Sequence, residues 1–446
     1  MIDTYNREFT QKEYDQLCAD DPVFVGRLTR CTGVINDECQ RCLNTAQDYL
    51  HTFVHENEHI TYCRKCLDFG MISTATTLYR TTHSPQILPE TGLLNKDFQL
   101  SFLQVRASNF AMELLDKKET GMVWAVCGAG KTEMMFESIA KALTNGKRVC
   151  WAIPRADVVI DLAPRIKQAF PNAKVVTLHG NSEEKQDYGD IVVTTVHQMI
   201  RFYQAFDFLI IDEVDAFPYT FDEMLVRIAK RACKTDSATI YLSATPAPID
   251  QRLIKEGKLP AVIIPARFHL FPLDIPVFKW CPNFYQSVSK KKLPFSAKRW
   301  LAQKIKSKRR ALLFVPTIAC GHHFQQALAR CLDLTVPFVF SSDEQRLEKV
   351  ADFKNGVGQF LITTMILERG VTIPDIDVGI FAAEHEIYEE SALVQISGRV
   401  GRHPKWPTGD IVFFHHGVTL AMVQAREQML RMNKVAKSEG LLREGS

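Results

Sequence analysis

Two short stretches of this sequence put the residues of phosphoryl chemistry at workable spacings. AVCGAGKT, Ala125 to Thr132, has an A-x-x-x-x-G-K-T pattern. Small residues at Gly128, Ala129 and Gly130 let successive backbone N–H groups converge on an anion. Lys131 adds a cation for phosphate oxygens, and Thr132 adds a hydroxyl for Mg²⁺. The first position is Ala125, where the pattern more often has Gly. Further along, the apolar run Phe208 to Ile211 ends in Asp212 and Glu213. A carboxylate at the end of a parallel strand can hold Mg²⁺, which suits Asp212, and its neighbour Glu213 can orient or activate an attacking water.

A different chemistry is written nearer the start. Cys39-x₂-Cys42 and Cys63-x₂-Cys66, with 20 residues between the pairs, have the spacing of two knuckles that close one tetrahedral zinc site. Four thiolates leave no open coordination position, so such a zinc is structural. Cys31 is a possible substitute ligand. His51, His55 and His59 lie inside the loop at helical spacing and read as residues of a helix face.

The elements that must position these groups come from hydrophobic patterning. From about Met122, short β-rich runs such as RVCWAI, DIVVTTV and DFLIID alternate with helical segments such as TEMMFESIAKALTN. A second alternating series, RRALLFVP, GQFLITT, IDVGIFAA and GDIVFFH, comes after Pro276. Alternation of this kind predicts βαβ units on parallel sheets. The turn-rich HSPQILPETG separates the cysteine region from the first alternating series. The chain is thus expected to divide into residues 1–95, a zinc-binding module; 96–270, the lobe carrying the phosphate loop; and 271–446, a second lobe with a C-terminal helix. The fold class is α/β.

In chain order, AVCGAGKT, DEVD at Asp212 to Asp215, SATP at Ser243 to Pro246 and QISGRVGR at Gln395 to Arg402 resemble the motifs of superfamily 2 helicases and translocases. Weaker matches stand in the same order: Pro154 and Arg155; Thr194, Thr195 and His197; Thr363 and Thr364; and Arg369 to Thr372. The resemblance implies two RecA-like lobes that bind ATP with Mg²⁺. It implies that Arg399 and Arg402 stabilise charge on the γ-phosphate, an effect worth ~10³ to 10⁵ in rate in known NTPases. It casts Gln104 as the reader of adenine and Ser243, Thr245 and Gln395 as residues coupling ATP to nucleic acid. Thr195 and Thr364 become contacts to the strand. With a Cys₄ module directly ahead of the two lobes, the sequence resembles the ComFA family, the ATPases of DNA uptake in competent Gram-positive bacteria. That implies an ATP-dependent single-stranded DNA translocase, stimulated by DNA, with the companion competence protein ComFC and a single-strand-binding protein as partners. Its implied place is the cytoplasm, at the inner face of the cell membrane beside a DNA channel. A duplex-unwinding helicase and a nucleotide-switched scaffold are the alternatives; the full set Lys131, Asp212, Glu213, Arg399 and Arg402 favours turnover.

Charge and composition agree with a cytosolic, folded chain. Hydrophobic residues make up 46%, which excludes disorder as the dominant state. The N-terminus lacks the basic start and apolar run of a secretory signal, so the twelve cysteines read as thiols or metal ligands. The net charge of +3 conceals an asymmetry. Ile275 to Leu332 holds 12 Lys plus Arg and no acids, whereas the rest of the chain has 42 basic and 51 acidic residues. Lys290, Lys291 and Lys292 lie in this window among Trp280, Phe284, Tyr285, Phe295 and Trp300, and basic groups interleaved with aromatic rings suit single strands without sequence preference.

Overall fold

In the computed structural model of the chain, residues 6–20, 28–81, 93–95, 98–368 and 373–443 are described. The connector at 83–92 and the match at Arg369 to Thr372 lie outside the described residues. The chain folds as two compact units: Met1–Leu100, Val105–Val123 and Thr132–Val262 form the first, and Ser101–Gln104, Trp124–Lys131 and Ile263–Ser446 the second. Among the described residues, no helix is long and apolar enough to cross a membrane.

The N-terminal part of the first unit is built from short antiparallel strands. Strands β1 (Glu8–Thr10), β2 (Leu28–Thr32), β3 (Val34–Ile35), β4 (Glu38–Cys39), β5 (Leu50–His55), β6 (Glu58–Cys63), β7 (Ile72–Ser73) and β8 (Thr77–Thr81) form sheets ordered β1-β8-β2, β3-β4 and β5-β6-β7. His51 and His55 therefore sit on β5 and His59 on β6, and the expected helix is absent. Their spacing mimics a helix face, but the neighbouring Thr52, Phe53, Val54, Ile60, Thr61 and Tyr62 are β-formers. Glu56 and Asn57 take φ of 50° and 66° and close the hairpin as a two-residue turn.

This module is fixed to the rest of its unit by charge. The Glu8 carboxylate is fully buried and shared among Arg41 at 3.8 Å, Arg80 at 2.8 Å and Arg231, which comes from the end of the helix Glu223–Ala232. Burial pushes the Arg231 guanidinium below its usual value, and Glu8 opposes that shift. Arg7 lies over the Phe202 ring at 4.6 Å, and Tyr203 donates its N–H to the Asn6 carbonyl at 3.0 Å. One apolar cluster contains all four knuckle cysteines together with Val176, Leu178, Val192 and Leu209.

The main sheet has seven strands: β9 (Thr120–Ala125), β10 (Val149–Ile153), β11 (Val175–Leu178), β12 (Ile191–Thr195), β13 (Phe206–Asp212), β14 (Cys233–Ser243) and β15 (Ala261–Ile264), ordered β11-β12-β10-β13-β14-β9-β15. From β11 through β14 all pairings are parallel. β10 and β12 are buried along their whole length, as expected for strands covered on both faces. The second unit carries a six-stranded, all-parallel sheet: β16 (Val277–Trp280), β17 (Arg310–Phe314), β18 (Phe338–Val339), β19 (Phe360–Thr363), β20 (Ile376–Phe381) and β21 (Ile411–His415), ordered β16-β21-β20-β17-β19-β18. These are the two parallel-sheet, RecA-like lobes expected from the sequence.

The basic window is not one uniform track. Lys304 is buried against Asp377 at 2.5 Å and against Asp410, and Arg309 pairs with Asp377 at 2.8 Å and with Asp375. Trp300 and Phe284 belong to the core. The window's exposed groups include Lys290, Lys291, Lys298, Arg299 and the rings of Trp280 and Phe295.

Glu8→Ala would leave three guanidiniums facing a buried gap, and it is expected to lower the unfolding free energy by ~3–5 kcal/mol. Urea denaturation of the variant against the parent protein measures this, and a loss under ~1 kcal/mol would mean that the carboxylate does not anchor the module.

Candidate active site

The phosphate loop joins β9 to the helix Lys131–Thr144, which buries Met134, Met135, Ile139 and Leu143. Gly128 and Gly130 adopt φ of 82° and 78°, where a side chain is strained, so both positions need glycine. Ala125 has no such backbone and is a buried strand-end residue, which explains why alanine is accepted there. Lys131 opens the helix, so the loop's N–H groups and the positive end of the helix converge on one point. Gln104 is buried. Its amide donates to the Ala129 carbonyl at 3.1 Å and accepts from the Ser101 N–H at 2.9 Å, which ties it to the loop.

Asp212 is the last residue of β13 and is buried. Its carboxylate accepts the Glu213 N–H at 2.8 Å. Glu213 takes a left-handed backbone, φ 57°, uncommon for a non-glycine residue and a way to aim a side chain off a strand end. Ser243 and Thr245 meet on Asp215. Ser243 Oγ donates to one carboxylate oxygen and Thr245 Oγ1 to the other, both at 2.8 Å, while the Thr245 N–H donates to Ser243 Oγ at 2.9 Å. Asp215 closes the DEVD motif without a role that sequence assigns to it; the structure supplies one, as the acceptor that the Ser-x-Thr pair needs.

Gln395 lies in the helix Glu390–Ser397 and accepts the Cys127 thiol at 3.1 Å. Arg399 is buried and donates Nε–H to the Glu368 carbonyl at 3.1 Å. Arg402 donates Nε–H to the Gly398 carbonyl at 2.8 Å. A residue missed from sequence is Arg267, which is fully buried. Its Nη1–H donates to the Gly401 carbonyl at 2.8 Å, and its Cδ would lie 3.6 Å from a Cβ at Gly128. Burial pushes this guanidinium down to about 10, partly countered by Asp274. The visible signal was a charged residue in the apolar stretch VIIPARFHLF.

All four knuckle sulfurs are fully buried and lie within 4.8 Å of one another, with Cys39 and Cys66 at 3.7 Å and Cys42 and Cys63 at 3.6 Å. Tetrahedral bonds of about 2.3 Å to zinc require sulfur separations of about 3.8 Å, so the donor set fits a Cys₄ zinc site. Cys39 ends β4 and Cys63 ends β6, and each is followed by a tight turn that brings back its partner.

Comparison with known proteins gives this geometry a family. Residues 6–80 match the competence protein ComFA N-terminal domain, 97–248 the type III restriction enzyme res subunit, and 296–404 the helicase conserved C-terminal domain. The chain is 41% identical to competence protein ComFA of Bacillus subtilis over 401 residues, covering 89% of this chain and 86% of that protein. The chain belongs to the ComFA family. Competence protein ComFA of Streptococcus pneumoniae is 38% identical, with 89% and 90% covered. The fold also resembles that of Dbp5 from S. cerevisiae, described as bound to RNA and ADP BeF3, at a TM-score of 0.56 and 16% identity, over 76% of this chain and 88% of that one. As a ComFA-family member with helicase-type domains, the protein is an ATP-hydrolysing enzyme of the competence-related helicase and translocase class, and such domains imply ATP with Mg²⁺.

The residues expected to touch nucleic acid occupy matching turns. At the end of β12, Thr194 Oγ1 donates to the Thr195 carbonyl at 3.0 Å; at the end of β19, Thr363 Oγ1 donates to the Thr364 carbonyl at 2.9 Å. The two lobes of this ComFA-family chain thus carry the same Thr–Thr turn at equivalent sheet edges. Lys290, Lys291 and Lys292 form the link between the helices Phe284–Ser289 and Phe295–Ser307, with Lys291 at φ 54°.

Elemental analysis of the purified protein is expected to find one zinc per chain and to find none in Cys63→Ser. A Cβ at Gly398 would lie 2.3 Å from Cys127 Cβ. Gly398→Ala is therefore expected to cost ~1–3 kcal/mol by overpacking, read from urea unfolding.

Proposed function

We propose that this protein is a DNA-stimulated ATPase that moves single-stranded DNA into the cell during natural transformation. In this reading Lys131, the loop N–H groups of Gly128 to Thr132 and the Thr132 hydroxyl hold the triphosphate. Asp212 with Thr132 holds Mg²⁺, which neutralises charge on the phosphates. Glu213 orients the attacking water, and Arg399 and Arg402 supply positive charge to the transferring phosphoryl group. Gln104 reads adenine from its place beside the loop. The Cys₄ zinc is structural.

The observation that carries the reading is the Asp215 bridge. Asp215 follows the acid pair by two residues and takes hydrogen bonds from both Ser243 and Thr245, so any shift of the acid pair on hydrolysis is passed directly to the end of β14. The full set Lys131, Asp212, Glu213, Arg399 and Arg402 favours turnover over a passive nucleotide switch. The matched Thr–Thr turns support a strand contact on each lobe, Thr195 on one and Thr364 on the other, with Lys290 to Lys292 adding phosphate contacts on the second. Gln395 joins Ser243 and Thr245 in the coupling role. Family membership supports the competence setting, with ComFC, a single-strand-binding protein and attachment at the inner face of the membrane beside a channel as the expected surroundings.

ATP turnover with single-stranded DNA, duplex DNA, RNA or no polymer, run beside a strand-displacement assay, tests the reading. Stimulation by single strands without unwinding is expected, and displacement of a duplex strand would favour the helicase. Lys131→Ala is expected to abolish turnover while DNA binding persists. Asp215→Asn is expected to retain ATP binding but to lose most of the DNA stimulation. Turnover that ignores every polymer would overturn the translocase.

A further inference from the structure

On the first unit, a cleft of about 610 Å³ opens between the second zinc knuckle and the sheet edge at β12. This is within the ~300–1,000 Å³ typical of ligand clefts. Its lining joins Arg64, Lys65 and Phe69, all from the 3₁₀ turn Arg64–Phe69 that carries Cys66, to Thr195 and His197 at the end of β12. The Phe69 and His197 rings face each other with centroids 6.3 Å apart and planes 26° from parallel. Gly180 also lines the cleft, and a Cβ there would meet nothing within 4 Å, which leaves room for a chain to pass close to backbone.

The electrostatics are specific without being broadly attractive. Arg64 is exposed, with Nη1 3.3 Å from a His51 ring nitrogen. Lys65 lies 4.4 Å above the Tyr49 ring and 3.5 Å from Asp222. Asp68 and Asp222 line the same cleft, so two cations face two anions. Burial holds His197 below its usual value of 6.5, which keeps its ring neutral near pH 7. A small cleft with a parallel aromatic pair and a few placed cations fits one unstacked nucleotide better than a duplex, whose bases cannot reach an aromatic face.

We propose that this cleft seats one nucleotide of the single-stranded DNA, with its phosphate on Arg64 and Lys65 and its base against Phe69 and His197. The zinc module is then part of the DNA track and not only a docking platform. The inference rests on the single-strand reading above and extends the motif residues Thr195 and His197 with three groups that the helicase motifs do not include, Arg64, Lys65 and Phe69, all from the zinc turn.

The test uses the full-length protein and a fluorescent oligothymidylate, titrated across a salt series. Replacing both Arg64 and Lys65 by Ala removes the one phosphate contact and is expected to reduce the slope of log K against log salt by about 0.7, the value for one phosphate on a single strand. Phe69→Ala is expected to weaken binding by roughly 5- to 150-fold, the range seen for loss of one base–aromatic stack. Asp68→Ala removes a competing anion and is expected to tighten binding, which no merely structural role would produce. Zinc content and urea unfolding establish that each variant is folded. Normal oligothymidylate binding by the parent protein with an unchanged slope in the double variant would overturn the subsite and leave the single-strand reading intact. Absence of binding by the parent protein would overturn both.

Discussion

One buried carboxylate sets where the four-cysteine module sits. Glu8 has no route to water, and its charge is balanced by guanidiniums from three separate stretches, Arg41, Arg80 and Arg231. A carboxylate in that position tolerates little movement, since each arginine loses its partner if β1 slides. The module is therefore held against the ATPase lobe as a rigid extension. The knuckle at Arg64–Phe69 consequently reaches the edge of the sheet where β12 ends, and that placement creates the cleft lined by Thr195 and His197.

The chemistry gathers at strand ends for a related reason. A parallel sheet directs its loops from the carboxyl ends of the strands to one edge, and β12, β13 and β14 deliver Thr195, Asp212 and Ser243 there. Asp215 then turns separate strand ends into one hydrogen-bonded assembly. Arg267 acts similarly in the second unit, where its buried guanidinium holds the Gly401 carbonyl against the phosphate loop at Gly128.

The parts of this structure that sequence reveals are those made of local pattern. The apolar strands β10, β12, β13, β17 and β20 were legible as runs of Val, Ile, Leu and Phe, and the phosphate loop and the knuckles were legible as fixed spacings of a few residues. The parts that escaped depend on distant partners. Glu8 and Arg231 are 223 residues apart and look like ordinary surface charges in isolation. Lys304 and Arg309 fall in the basic window by sequence, yet both pair with carboxylates at or just before the starts of β20 and β21, Asp375, Asp377 and Asp410. β16 has only four residues and pairs along one side with β21, so its short VFKW carries too little pattern to stand out. The histidines on β5 and β6 have a spacing that fits a helix as well as a hairpin, and the β-forming neighbours and the Glu56–Asn57 turn separate the two.

The four knuckle sulfurs lie inside the same apolar cluster as the sheet, with no exposed surface. Exchange of a metal held there requires that core to open, because neither a chelator nor water can approach a sulfur from outside. A zinc held by Cys39, Cys42, Cys63 and Cys66 would therefore exchange only as fast as this part of the core opens, which ties its loss to local unfolding.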